Sequence, residues 1–216
     1  MARVLLAIGL LVSGSALAQD AAVEEEVRRL FDRYKVALLQ GDGELASDLV
    51  DADTMKFFDD IKHLALAGDE ESVKKRPFVD RLLIVTMRHE LDSADLQQMG
   101  LQGLLQHAVE AGWIGKQSIA QLDIGEIEVS GDEATGVAIT TGLQAPETEE
   151  SPLYRFVREE GVWKFRFHSL VQGINNLIGP FTAQMGTDED DLIFLLVEQL
   201  SGRKVLPDVW SRERAV

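Results

Sequence analysis

The spacing of apolar residues changes twice along this chain, and this change constrains the fold more than any other feature. From Val23 to Val109 apolar residues recur at helical spacing, from Ile127 they alternate with polar residues, and after Leu170 helical spacing returns. Short strands joined by turns form antiparallel sheets, whose apolar face needs helices packed over it. The sequence therefore predicts an α+β fold, with N-terminal helices packed on a curved, cone-like antiparallel sheet and extra C-terminal helices.

The first predicted helix places a single apolar face toward the core. Further helices are predicted at 44–50, from a cap at Thr54, at 78–87 and at 101–109, with a buried strand as the alternative for 78–87. The residues of the first apolar face are Val23, Val27, Leu30, Phe31, Tyr34 and Leu38.

The strand region predicts an aromatic inner face. Turns are expected at 131–132 and 159–161, an acidic loop at 146–151, and a last strand over 162–170. Tyr154 and Phe156 share one face of their strand, and Trp163, Phe165 and Phe167 share one face of the next. The opposite face of the last strand, with His168, is expected to be solvated or at an interface.

Residues 171–216 are predicted to form a C-terminal helical extension. A helical stretch from Leu170 to Met185 is expected to be interrupted at Gly179–Pro180. A last helix is expected to be capped by Thr187 and to end at Gly202, with Trp210 as an anchor in the tail.

The N-terminus has the pattern of a cleavable signal peptide over residues 1–18. Arg3 precedes a short apolar run, and Ala16-Leu17-Ala18 matches a cleavage site before Gln19. A buried N-terminal helix is the alternative. The run is shorter than the roughly 20 residues that span a bilayer, so we expect an exported protein, periplasmic or secreted, with its main domain over 19–170.

Composition excludes several classes of function. A formal net charge of −16 argues against nucleic acid and against an electrostatic grip on anionic lipid. The absence of cysteine excludes disulfides, thiolate catalysis and cysteine-based metal sites. No later stretch is long and apolar enough for stable membrane insertion.

Three segments resemble one known family. They are VRRLFDRYKVALLQGDGELASDLVD at 27–51, GDEATGVAITT at 131–141 and YRFVREEGVWKFRF at 154–167. They are similar to the nuclear transport factor 2-like superfamily, which includes ketosteroid isomerases and polyketide cyclases. The resemblance implies a bent sheet wrapped on helices around an apolar pocket, with an enlarged helical middle over 54–118. Members of this superfamily include enzymes, binding modules and dimerisation domains, so fold alone does not assign function.

The candidate site is the aromatic lining of the predicted cone. No catalytic residue, metal ligand or cofactor is predicted: His63, His89, His107 and His168 form no zinc motif, and the acids at 188–191 fit a helix cap better than a calcium loop. The candidate lining residues are Tyr34, Phe58, Tyr154, Phe156, Trp163, Phe165 and Phe167.

The residues favour a non-enzymatic module that binds a small apolar ligand or a protein partner, including a second copy. The alternatives are an isomerase- or hydratase-type enzyme of the same superfamily, a carrier similar to periplasmic phospholipid shuttles, and an assembly factor. For the assembly factor, the contact would be made by the apolar run at 192–197 and the basic tail.

Overall fold

A computed structural model describes residues 9–113, 119–140 and 153–211, with side chains described from Asp20 onward. The predicted acidic loop at 146–151 and the last residues of the basic tail lie outside the described residues, as do residues 1–8 of the predicted signal peptide. The helices in these ranges are α1 (Gly9–Gln40), α2 (Gly43–Asp48), α3 (Ala52–Ala67), α4 (Glu70–Lys74), α5 (Phe78–Glu90), α6 (Ser93–Gln98), α7 (Leu101–Glu110), α8 (Phe167–Met185), α9 (Glu189–Ser201) and a 3₁₀ helix (Pro207–Trp210).

Aspartates begin five of these helices. The carboxylate of each accepts a hydrogen bond from a backbone N–H two or three residues later, which satisfies a donor that the helix leaves unpaired. The caps predicted at Thr54 and Thr187 were wrong, because Asp51 and Asp188 take those positions. The capping residues are Asp42, Asp51, Asp69, Asp92 and Asp188.

The α+β class is confirmed, with four strands in one antiparallel sheet of order β1-β2-β3-β4. The strands are β1 (Leu122–Ser130), β2 (Glu133–Thr140), β3 (Leu153–Glu159) and β4 (Val162–Phe165). The predicted turn between β3 and β4 is confirmed: Glu160 and Gly161 both have positive φ, 50° and 83°, as the type I′ turn of a two-residue hairpin loop requires. A bulge in β1 between Ile124 and Ile127 bends the sheet.

The predicted last strand is wrong beyond Phe165. β4 ends there, and α8 begins at Phe167. The error has a physical source, since Phe167 alternates with Phe165 as in a strand, and is also spaced from Val171 and Ile174 as in a helix. The outer edge of β4 pairs instead with the α2–α3 connection, where Phe165 N–H donates to Leu49 at 2.8 Å.

The helices cover the inner face of the sheet and enclose a hydrophobic core. α1 contacts β1 and β4, and α5 contacts α3, α8 and α9. The segment 78–87 is therefore helical, and the alternative of a buried strand is excluded.

The predicted interruption at Pro180 is also wrong, because α8 continues through it. Asn176, whose carbonyl loses its helical partner at Pro180, is exposed, so water can replace that bond.

Candidate functional site

Phe165 is the centre of an aromatic cluster between the sheet and the helices. Strand alternation directs Phe156 and Phe165 to the same inner face, where they are opposite each other on neighbouring strands. Both rings are almost completely buried. The centroid of Phe165 lies 4.9 Å from Tyr34, 5.4 Å from Phe156, 5.9 Å from Tyr154, 6.4 Å from Phe167 and 6.5 Å from Phe31.

A small apolar cavity lies beside this cluster, between α1, the sheet and α8. Its volume is about 30 Å³, which is room for one or two water molecules. Lys35 lies among the lining residues, where its ammonium group donates to the carbonyl of Leu122 and ties α1 to β1. The lining residues are Phe31, Tyr34, Lys35, Leu38, Ile119, Leu122, Tyr154, Phe165, Phe167 and Leu170.

Four of the seven predicted lining residues border this cavity: Tyr34, Tyr154, Phe165 and Phe167. The other three lie in the surrounding core. Phe156 packs against Phe165, Phe58 stacks on Phe167 with centroids 6.1 Å apart, and Trp163 is buried. Leu170 also lines the cavity and was not predicted to do so, because the strand predicted over 162–170 ends at Phe165 in the structure. Helical spacing from Phe167 was the signal that could have found it.

In the part of the chain that the structure describes, two polar atoms on the inner face are buried without a hydrogen-bond partner. They are the hydroxyl of Tyr154 and the indole Nε1 of Trp163. Burial, with a smaller contribution from the negative charge of Asp123, raises the pKa of Tyr154 to about 12. Burial also raises the pKa of Tyr34. Both hydroxyls therefore stay protonated at neutral pH, and neither can serve as a base there.

Arg166 joins the end of β4 to the start of α3. Its Nε donates to the fully buried carboxylate of Asp51 at 2.7 Å, and the same carboxylate accepts from the backbone and hydroxyl of Thr54. The hydrogen bond to Asp51 raises the pKa of Arg166. The arrangement satisfies a buried charge with a cation and helix donors, so it acts as a structural joint.

The sequence predicted His168 on a strand face that is solvated or at an interface, and this prediction is wrong. It occupies the first turn of α8, where its ring stacks on Phe57 at 4.6 Å between centroids. Its backbone N–H donates to the hydroxyl of Thr54 at 3.3 Å. The half-buried imidazole is therefore part of the packing between α8 and α3.

The surface of α8 carries a stripe of exposed apolar side chains. Ile174, Leu177, Phe181 and Met185 are between 40% and 64% exposed. Their helical spacing was predicted from the sequence, and their outward orientation was not. In the run 192–197 predicted for assembly, Ile193 and Val197 are fully buried, and Leu195 is exposed.

In the described ranges no group of three or more His, Cys, Asp or Glu side chains could hold a metal ion. No helix in that part of the chain combines the length and apolarity needed to cross a bilayer.

Comparison with protein-family models, curated proteins and solved structures found no match to this chain.

Proposed function

We propose that this protein is a non-enzymatic interaction module that docks onto a protein partner through the apolar stripe of α8. The observation that carries this proposal is the exposure of Ile174, Leu177, Phe181 and Met185 on one helix that has no Asp, Glu, Lys or Arg. Contiguous exposed apolar patches on a water-facing surface mark interaction sites more often than isolated apolar residues do.

The cavity lining supports the non-enzymatic part of the proposal. Ring and aliphatic groups line it, and its only ionisable lining residues in the described chain are Tyr34, Lys35 and Tyr154. An isomerase-type mechanism needs a carboxylate or imidazole placed against the substrate. A volume of about 30 Å³ is also far below the roughly 300 Å³ that a small-molecule site occupies, which disfavours a carrier of acyl chains.

A photoreactive residue at position 177 tests the docking proposal in the cells that produce the protein. The matched control is position 195, since Leu177 is 56% exposed and Leu195 is 51% exposed on α9. We expect one protein species, a second copy included, to be crosslinked from 177 and not from 195. That species, once purified, should bind the wild-type protein, and its affinity for the Leu177→Glu variant should be at least tenfold lower. Equal crosslinking from both positions would overturn the proposal.

Export remains part of the proposed function, supported by the charged start and cleavage pattern of residues 1–18. The intact mass of the protein recovered from the producing cells tests it. We expect a chain that begins at Gln19, and a chain that retains residues 1–18 in a cytoplasmic fraction would contradict export.

A further inference from the structure

The apolar face of α8 is wider than the part of it that packs against the core. At about 100° per residue, Val171, Ile178 and Thr182 lie on the side of the helix that packs inward. Ile174, Leu177, Phe181 and Met185 lie next to them and face outward. The stripe is therefore a continuation of the core-facing side of the helix that nothing in the described chain buries.

The stripe also lies in an uncharged part of an acidic chain. No Asp, Glu, Lys or Arg occurs between Arg166 and Asp188, whereas the net charge of the whole chain is −16. Two copies that meet through α8 bring no like charges together in the centre of the contact. A lipid surface fits less well, because interfacial helices carry Lys and Arg on their polar face and α8 has neither.

The charges that flank the stripe are complementary across a two-fold axis. The midpoint of the stripe falls between Gly179 and Pro180. Arg155 is exposed and lines a surface groove with Leu170 and Gly173, about 12 Å before that midpoint at 1.5 Å per residue. The last residue of α8, Met185, lies about 8 Å after that midpoint, and the first turn of α9 follows it. In that turn Glu189 and Asp190 pair with Arg81 of the same chain, whereas Asp188 and Asp191 are exposed. An antiparallel pair of α8 helices thus brings Arg155 of each copy to the end of the other copy's α8 that leads to Asp188 and Asp191.

We propose that the partner docked on α8 is a second copy of this chain, with the two α8 helices antiparallel about an axis near Gly179–Pro180. This inference rests on the proposed function and names its partner. The four side chains of the stripe present a few hundred Å² per copy, less than the roughly 800 Å² per partner of a standard interface. The dimer is accordingly weak and forms in a concentration-dependent way.

Sedimentation velocity over a concentration series, in about 0.3 M sodium chloride to screen long-range repulsion, tests the dimer. We expect dimerisation of the wild type, a loss of at least tenfold in affinity with Leu177→Glu, and retention with the matched variant Leu195→Glu. Arg155→Glu should weaken the dimer, and Arg155→Glu combined with Asp191→Arg should restore it. Circular dichroism of each variant verifies that it is folded.

The orientation is tested by energy transfer between separately labelled populations, because the chain has no cysteine of its own. Gly173→Cys and Gln184→Cys place single labels before and after the midpoint, and a Cβ at Gly173 meets nothing within 4 Å. Antiparallel pairing predicts greater transfer between a 173-labelled and a 184-labelled copy than between two 184-labelled copies. Equal or reversed transfer would overturn the arrangement.

The outcomes separate this inference from the proposed function. A monomer at every concentration, or a dimer that Leu177→Glu leaves intact, overturns the second copy as partner. If position 177 still crosslinks to a different protein that binds in reconstitution, docking through α8 stands. If the wild type binds phosphatidylcholine vesicles in a Leu177-dependent manner and stays monomeric, both proposals fail in favour of a lipid surface.

Discussion

The Nε of Arg166 lies 2.7 Å from a carboxylate oxygen of Asp51, and this ion pair joins the last strand to the first turn of α3. Asp51 is fully buried and also caps α3. A single carboxylate therefore holds together the edge of the sheet, the start of one helix and the chain entering α8.

Replacing Asp51 by alanine should destabilise the protein by about 2 to 3 kcal/mol, because it removes a cap and leaves Arg166 without its buried partner. Urea denaturation followed by circular dichroism measures this change. Asp53→Ala is the matched control, since Asp53 is mostly exposed and lies 3.7 Å from the same guanidinium. We expect the control to lose about 0.5 kcal/mol or less. Equal losses would contradict the role given to Asp51.

Phe165→Ala should cost about 3 to 5 kcal/mol, because it empties the centre of the aromatic cluster. Val162→Ala on the same strand should cost less than about 1 kcal/mol, since Val162 is 56% exposed. The two free energies of unfolding, measured in the same buffer, decide the point. Similar values would show that Phe165 is not the centre of the core.

Gly43→Ala should destabilise the protein by about 3 kcal/mol. A Cβ at position 43 would lie 2.2 Å from the backbone Cα of Gln106 on α7, so the two helices would have to separate. Gly173→Ala on α8 is the opposite case, because its Cβ meets nothing within 4 Å. An alanine inside a helix with free space should add about 0.5 to 1 kcal/mol of stability. The two variants should therefore shift in opposite directions from the wild type, both in thermal unfolding and in urea unfolding.

Tyr154 should make stability fall at alkaline pH. Its folded-state pKa of about 12 exceeds the unfolded value of about 10, so its contribution is intact below pH 10 and is lost as pH rises toward 12. Ionisation of the unfolded state alone costs about 1.4 kcal/mol between pH 9 and 11. Tyr154→Phe should lack this loss, so its stability relative to the wild type should increase over that interval. Parallel curves for the two proteins would contradict the burial of the hydroxyl.

Tyr154→Phe should also be neutral or stabilising at pH 7, by up to about 1 kcal/mol, because the hydroxyl that it removes is buried without a partner. Unfolding in urea gives this difference. A loss of more than about 1 kcal/mol would indicate that the hydroxyl is hydrogen-bonded in solution.

Most elements of the fold could be predicted from the spacing of apolar residues. The helix through Tyr34, the helix at 78–87 and the hairpin at Glu160–Gly161 depend on local patterns, and the structure has each of them. The end of β4 could not be predicted this way, because Phe167 fits both a strand and a helix. Pairing of β4 with Val50 and the contact between His168 and Phe57 decide between them.

The sequence by itself determined that an aromatic face exists and that α8 has an apolar face and no Asp, Glu, Lys or Arg, because these properties follow from the order of side chains along one element. Only the tertiary structure decided how small the cavity beside Phe165 is and which half of the apolar arc of α8 stays exposed. Both depend on how closely separate elements pack. The distance between packed elements is set by the side chains of residues far apart in the chain, so no local sequence pattern contains it.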